Sequence, residues 1–340
     1  MRNNADEFNQ VSLPAFQLPW ASTVRPDVHA IHAELFEWSA RHELFRNELE
    51  RDRYESHRFA WLAARYCPRA DRVFAQWSAD FLQWFFMLDD VTDGLAEGPQ
   101  HATAVVGKLT AMLDVVDFDE MGTQPVRGET AWWDLCRRLK AWVPATENYQ
   151  RWANSMRLWL LSVGLQLFDQ VCADRSNPSS YVSYRRYTAG LSPFIALADV
   201  ANAGPITAEE FYSPEVRRLE QLAVNVIAWS NDVLSAGVEV QQPSARSLVT
   251  VLKEAELDRS WQEAIDLAAD QTYAEIAAFA QLAETVRHVA SPNLAGWIDG
   301  CQDWIAATVN WSVLDSARYG LTAAASLDDR EAHKSHDELR

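Results

Sequence analysis

Apolar residues recur at three- and four-residue steps through most of the chain, the period of helices that bury one face. The clearest run is Val73, Phe74, Trp77, Phe81, Phe85 and Leu88, which predicts a helix over about 70–93. The same period, bounded by Pro, Gly and Asp signals, predicts helices near 28–44, 56–66, 101–116, 127–142, 147–174, 179–200, 214–239, 246–255, 259–287 and 292–318. Within 179–200, Gly190 and Pro193 sit three apart in an apolar pattern and predict a break, which frees backbone carbonyls inside the core. Residues 94–100, 175–179 and 241–243 read as loops or turns. Residues 1–27 mix prolines with apolar residues, as in Leu13-Pro14 and Pro19-Trp20, and read as an extended strap lying on a domain of residues 28–320. Residues 321–340 have the composition of a disordered tail. With no internal repeat and no linker, the pattern predicts one all-α domain of about ten or eleven helices.

Composition narrows the function classes. Of 340 residues, 48% are hydrophobic and only 12 are Gly and 13 Pro, which favours a large helical core over a sandwich or barrel. Fifteen Trp point to a voluminous aromatic interior or an aromatic-lined pocket. A formal charge of −18 repels a phosphate backbone and argues against nucleic acid. An anionic small ligand would need metal ions or a local basic cluster. Cys67, Cys136, Cys172 and Cys301 are far apart and read as free thiols in a reducing cytoplasm. No signal peptide and no membrane-spanning run is found. A homodimer stays open.

The helix over 70–93 ends in Asp89-Asp90-Val91-Thr92-Asp93, directly after Phe85 and Phe86. Asp89 and Asp93 share a face, and Asp90 lies about 100° round from Asp89. The C-terminal turn already carries partial negative charge, so each acid there costs about 0.3–1 kcal/mol without a cation. A frayed, solvated helix end would carry the same residues, so the rest of the chain must decide. A second acidic run, Asp114 to Glu120, is followed by Met121-Gly122 and reads as a solvated loop.

The deciding stretch is Asn231-Asp232-Val233-Leu234-Ser235-Ala236-Gly237-Val238-Glu239. Asn231, Ser235 and Glu239 fall at i, i+4 and i+8 on one helix face. An amide oxygen, a hydroxyl and a carboxylate are hard donors that suit Mg²⁺ rather than zinc or iron. An ordinary polar face is the alternative. Against it stand the carboxylate at a helix C-terminus and the earlier aspartate motif.

Together these stretches resemble the microbial class I terpene synthases. There a DDxxD motif and an NDxxSxxxE motif face each other across the mouth of an all-α bundle with a central aromatic cavity. The resemblance implies that Asp89, Asp90, Asp93, Asn231, Ser235 and Glu239 hold three Mg²⁺ ions, which grip the diphosphate of an isoprenyl substrate. The Tyr181-x-x-x-Arg185 pattern resembles the family's diphosphate-sensing arginine. By the same resemblance Thr188 and Ala189 are the linker and the effector carbonyl at the break, and Arg318-Tyr319 is the C-terminal Arg-Tyr pair. The likeness covers about residues 13–320. It departs at Val238, where many members carry Lys or Arg, and Arg246 or Lys253 would have to substitute.

The implied reaction, ionisation of an allylic diphosphate, needs charge stabilisation on the leaving group rather than a nucleophile. Arg185, Arg318 and the Tyr319 hydroxyl are expected to bind that group. Aromatic faces would shield the cation, each contact worth roughly 0.5–2 kcal/mol. Phe85, Phe86, Phe194 and Trp311 are the expected wall, by their places before Asp89, past the break and before Arg318. Plain core packing is the alternative for each. The expected function is thus a terpene cyclase, a carbon–oxygen lyase, acting on farnesyl diphosphate. Geranylgeranyl diphosphate is the main alternative substrate. A chain-elongating transferase fits less well, because the second motif is Asn/Ser/Glu rather than a second aspartate cluster.

Overall fold

The computed structural model describes residues 8, 11–93, 99–171, 178–240, 246–256 and 258–321; side chains at 91–102 and 167–171 are outside that description. Among the described residues it is helical throughout, with no strand. Among the described residues there are sixteen α-helical segments, four of them of only four or five residues, followed by a π-helical turn at Trp311–Asp315. In chain order they are α1 (Val28–Arg41), α2 (Glu48–His57), α3 (Phe59–Tyr66), α4 (Arg72–Asp93), α5 (Pro99–Phe118), α6 (Glu129–Trp142), α7 (Thr146–Val171) and α8 (Pro178–Thr188). Then come α9 (Ser192–Ile195), α10 (Ala198–Asn202), α11 (Ala208–Phe211), α12 (Pro214–Leu234), α13 (Ala236–Glu239), α14 (Leu248–Ala255), α15 (Trp261–Arg287) and α16 (Pro292–Asn310). No helix among the described residues is long and apolar enough to cross a membrane.

The segments that build the site surround one core. Helix α4 packs on α1, α3 and α6, and α16 packs on α3, α10 and α12. Helix α12 lies along α15. Trp84, Trp132, Trp152, Trp159, Trp297 and Trp311 are all fully buried in this core. Several indoles spend their N–H on a backbone carbonyl, as Trp84 does on Gly128 (2.9 Å) and Trp297 on Ile195 (3.0 Å). From the N-terminal segment, Leu13, Phe16, Leu18 and Trp20 pack against the core, and the Tyr273 hydroxyl of α15 donates to the Ala15 carbonyl (3.0 Å). Cys67, Cys136 and Cys301 are buried free thiols; Cys172 lies outside the described residues, as do residues 322–340.

Six features differ from the sequence reading. The helix expected over 56–66 is two helices, because Arg58 takes a left-handed conformation (φ 52°) between α2 and α3. Helix α2 begins earlier, with the Asn47 side chain accepting from Glu50 N (2.9 Å). The run from Asp114 is the end of α5, not a loop; the helix stops only where Asp119 turns to φ 61°. Helix α11 was not anticipated; a capping box of Thr207 and Glu210 starts it. The final helix does not run to 318. It loosens into the π turn, with Ser316 N donating to Trp311 O (3.0 Å). The stretch 214–239 is interrupted at Ser235, whose hydroxyl lies 2.7 Å from Asn231 O and competes for that carbonyl.

Candidate active site

The break after α8 forms as expected. Helix α8 ends at Thr188, Gly190 adopts φ 64°, and Pro193 restarts the chain in α9. The freed Thr188 carbonyl accepts from Trp159 Nε1 (3.3 Å), so the break is fixed from α7. Its other side faces a cavity. That cavity is lined by Phe85, Phe86 and Asp89 of α4, Arg185 and Thr188 of α8, Ala189, Leu191, and Phe194 of α9. Ile227, Ala228 and Asn231 of α12, Trp304 and Thr308 of α16, Trp311, Tyr319, Leu62 and Leu82 complete it.

All four expected wall aromatics therefore reach one hollow, and both acidic stretches reach its edge through Asp89 and Asn231. The rings hold one another. Phe85 stacks on Trp159 (centroids 4.1 Å) and Phe86 on Phe59 (4.5 Å). Phe194 packs on Trp304 (4.8 Å), a wall residue that sequence reasoning missed. Its signal was present: Trp304 and Trp311 are seven residues, two turns, apart and so share a face.

The polar residues divide into two groups. On the α4 side, Asp89 is half-buried at the rim, whereas Asp90 is turned toward basic partners. Asp90 accepts from Arg318 Nη2 (2.7 Å), Arg53 Nη2 (3.2 Å) and the Tyr54 hydroxyl (2.8 Å). Burial pushes the Asp90 carboxyl up, but Arg318 and these hydrogen bonds outweigh it and hold the group below its usual range. Arg318 is not among the residues that line the cavity; it lies over the ring of Phe86, which does (4.8 Å). The Asp93 side chain lies outside the described residues.

On the α12 side, Asn231 Nδ2 donates to the Tyr319 hydroxyl (2.8 Å), and Asn231 Oδ1 accepts from Arg185 Nη2 (3.3 Å). Ser235 Oγ lies 2.7 Å from Glu239 Oε1 and from Asn231 O, so its single proton serves one of them at a time. Burial, then the charge of Asp232, raises the Glu239 carboxyl, and its Oε2 is buried without a hydrogen bond. Arg246 pairs with Glu254 (2.7 Å) and Lys253 sits over Trp261 (5.9 Å). Val238 is exposed.

No trio of His, Cys, Asp or Glu side chains gathers for a metal among the described residues. The donors present are carboxylate, amide and hydroxyl oxygens, the set a hard divalent cation prefers. The orphaned Glu239 Oε2, beside Ser235 and one turn from it, is an acceptor that such a cation would satisfy. The residues fit the group.

Residues 80–304 match the family described as terpene synthase family 2, C-terminal metal binding. The chain is 38% identical over 326 residues to a sesquiterpene synthase of Metarhizium brunneum, covering 95% of this chain and 94% of that protein. It is 39% identical over 307 residues to the farnesyl-diphosphate-cyclising (+)-corvol ether A and B synthase of Kitasatospora setae, covering 90% and 95%. Its fold is similar to that of the linalool/nerolidol synthase of Streptomyces clavuligerus, with TM-score 0.76 at 21% identity over 87% of this chain and 99% of that one. The chain thus belongs to terpene synthase family 2 and is a microbial class I terpene synthase, a cyclising lyase.

Proposed function

We propose that this enzyme is a Mg²⁺-dependent sesquiterpene cyclase that ionises farnesyl diphosphate and closes the resulting cation, releasing diphosphate. One observation supports the reading: the same cavity is lined by aromatic rings, by Asp89 of the first acidic stretch and by Asn231 of the second, with Arg185 and Tyr319 bonded to Asn231. The substrate is taken from relatives whose names specify farnesyl diphosphate cyclisation. Asp89, Asn231, Ser235 and Glu239 would hold the divalent ions, with Asp93 as a further ligand. Bound there, the ions would supply positive charge to the leaving diphosphate in a chain of net charge −18.

This chain's own groups do the rest. Arg185 offers fixed N–H donors where the leaving group's charge grows. The Tyr319 hydroxyl lies beside Asn231 at the same rim. Arg318, held by Asp90, adds positive charge over the Phe86 ring. Thr188 and Ala189, at the Gly190 break, line the same cavity and would act as the linker and the effector carbonyl toward the substrate. Phe85, Phe86, Phe194 and Trp311 exclude water and present ring faces to the cation.

Incubation with C10, C15 and C20 diphosphates and Mg²⁺, followed by gas chromatography–mass spectrometry, tests the proposal. A C15 cyclic product from farnesyl diphosphate alone is expected. Conversion only with added isopentenyl diphosphate would instead make the enzyme a chain-elongating transferase. Asp89→Ala or Asn231→Ala should lower turnover at least about 100-fold, the scale of losing preorganised charge stabilisation, with the circular dichroism spectrum unchanged. Retained turnover would remove these residues from the ligand set.

A further inference from the structure

Asp232 lies between the rim residues and has no role in the reading above. It is completely buried on α12. Four hydrogen bonds converge on its carboxylate from two other elements. Arg185 of α8 donates to Oδ1 through Nη2 (2.7 Å) and Nε (3.0 Å). The Tyr181 hydroxyl, also on α8, donates to Oδ2 (2.7 Å), and so does Leu248 N at the start of α14 (2.8 Å). Tyr181 and Arg185 are one turn apart, so one helix face delivers both donors to one carboxylate. That gives the Tyr-x-x-x-Arg spacing a physical reason.

The consequence falls on Arg185. Its long side chain would otherwise lose rotamer entropy on each encounter with an anion. Here the loss is met during folding. The bonds to Asp232 use Nε and Nη2, so the two Nη1 hydrogens are not spent on it. Arg185 also lines the cavity, and its Nη2 donates to Asn231 Oδ1 (3.3 Å). A carboxylate this well supplied with donors is rigid, and a rigid acceptor fixes the direction of what it holds.

We propose that Asp232, assisted by Tyr181, is the positioning residue that aims Arg185 into the cavity before substrate arrives, and that it anchors this aim to the start of α14. The proposal rests on the cyclase reading. It makes Asp232 act through Arg185 and not on the substrate.

The test is a double-mutant cycle in the full-length enzyme with Asp232→Asn, Arg185→Gln and both together. The readouts are kcat/KM with farnesyl diphosphate, the affinity for inorganic pyrophosphate with Mg²⁺ by calorimetry, and the melting temperature. Asp232→Asn should lower kcat/KM by about 100-fold, the cost of misplacing a group at the chemistry. The double variant should lie within about threefold of Arg185→Gln alone, since a residue acting through another loses its effect once that partner is gone. Losses that multiply would overturn the proposal, as would unchanged kinetics in Asp232→Asn. Where Asp232→Asn does not fold, Tyr181→Phe replaces it. Its pyrophosphate affinity should fall by about 3–10-fold, the scale of one hydrogen bond, and only while Arg185 is present. Unchanged affinity, or the same fall without Arg185, would overturn the proposal. A wild-type enzyme that neither turns over farnesyl diphosphate nor binds pyrophosphate would defeat the cyclase reading, and this inference with it.

Discussion

Gly190 shows how one residue sets the geometry of the cavity. At φ 64° it occupies the left-handed region, where a Cβ is strained. A Cβ there would also collide with the Phe85 ring and lie 3.0 Å from Trp159 Nε1. Phe85 has nowhere to retreat, since it stacks on Trp159. Gly190→Ala should therefore destabilise the fold by about 2–4 kcal/mol, combining backbone strain and overpacking. Urea denaturation measures this; an unchanged midpoint would mean the break tolerates a side chain. The break was legible from Gly190 and Pro193 alone, because their backbone chemistry is local. The partner of Asp90 was not. The helix period alone sets it about 100° round from Asp89, but its carboxylate is held by Arg318, far along the chain. Nothing in the spacing of the aspartates encodes that partner.

At the scale of elements, long apolar-periodic helices were readable and short or highly charged ones were not. Helix α2, with sequence ELERDRYESH, has too little apolar content for its period to show, although Tyr54 buries on it and reaches Asp90. Helix α11 is four residues long and exists through its cap rather than its pattern. Capping matters equally where the helix was expected. Helix α15 opens with a capping box in which Ser260 N donates to Glu263 Oε2 (2.7 Å) and Glu263 N to Ser260 Oγ (3.2 Å). It runs 27 residues and supports α12, which carries Asn231 and Asp232. Ser260→Ala should cost about 1 kcal/mol. The melting temperature should drop by roughly 1–3 °C in a chain of this size, with kcat unchanged. A fall in kcat without a fall in melting temperature would show that the cap acts on the site rather than on the helix.

For the whole molecule, the burial of His57 is one contribution to the response to acid. His57, at the end of α2, is 6% exposed. Burial first, then the nearby Arg318 charge, pushes its imidazole down from 6.5 to about 3. Above pH 6.5 both folded and unfolded chains keep it neutral and it has no effect. Between pH 6.5 and about 3 the unfolded chain binds a proton that the folded one refuses, so stability falls as pH falls. The slope from this group is at most about 1.4 kcal/mol per pH unit. His57→Gln should flatten the decline in unfolding free energy between pH 6.5 and 4.5, measured by denaturant titration at several pH values. Parallel curves for the variant and the wild type would exclude His57 as a contributor.

Local chemistry was enough to establish an all-helical chain, the break at Gly190 and the oxygen-donor character of 89–93 and 231–239. Each follows from backbone preference, from a 3.6-residue period or from residue type, properties that neighbouring residues carry unaided. Folding alone assigned the partners. It placed Trp304 in the wall, turned Asp90 to Arg318 and Tyr54, and gathered Tyr181, Arg185 and Leu248 around Asp232. Apart from the Leu248 N–H, 16 residues from Asp232, the bonds to Asp90 and Asp232 join groups too far apart in the chain for a local pattern to contain both ends, and how the whole core packs sets the placement of the helices that carry them.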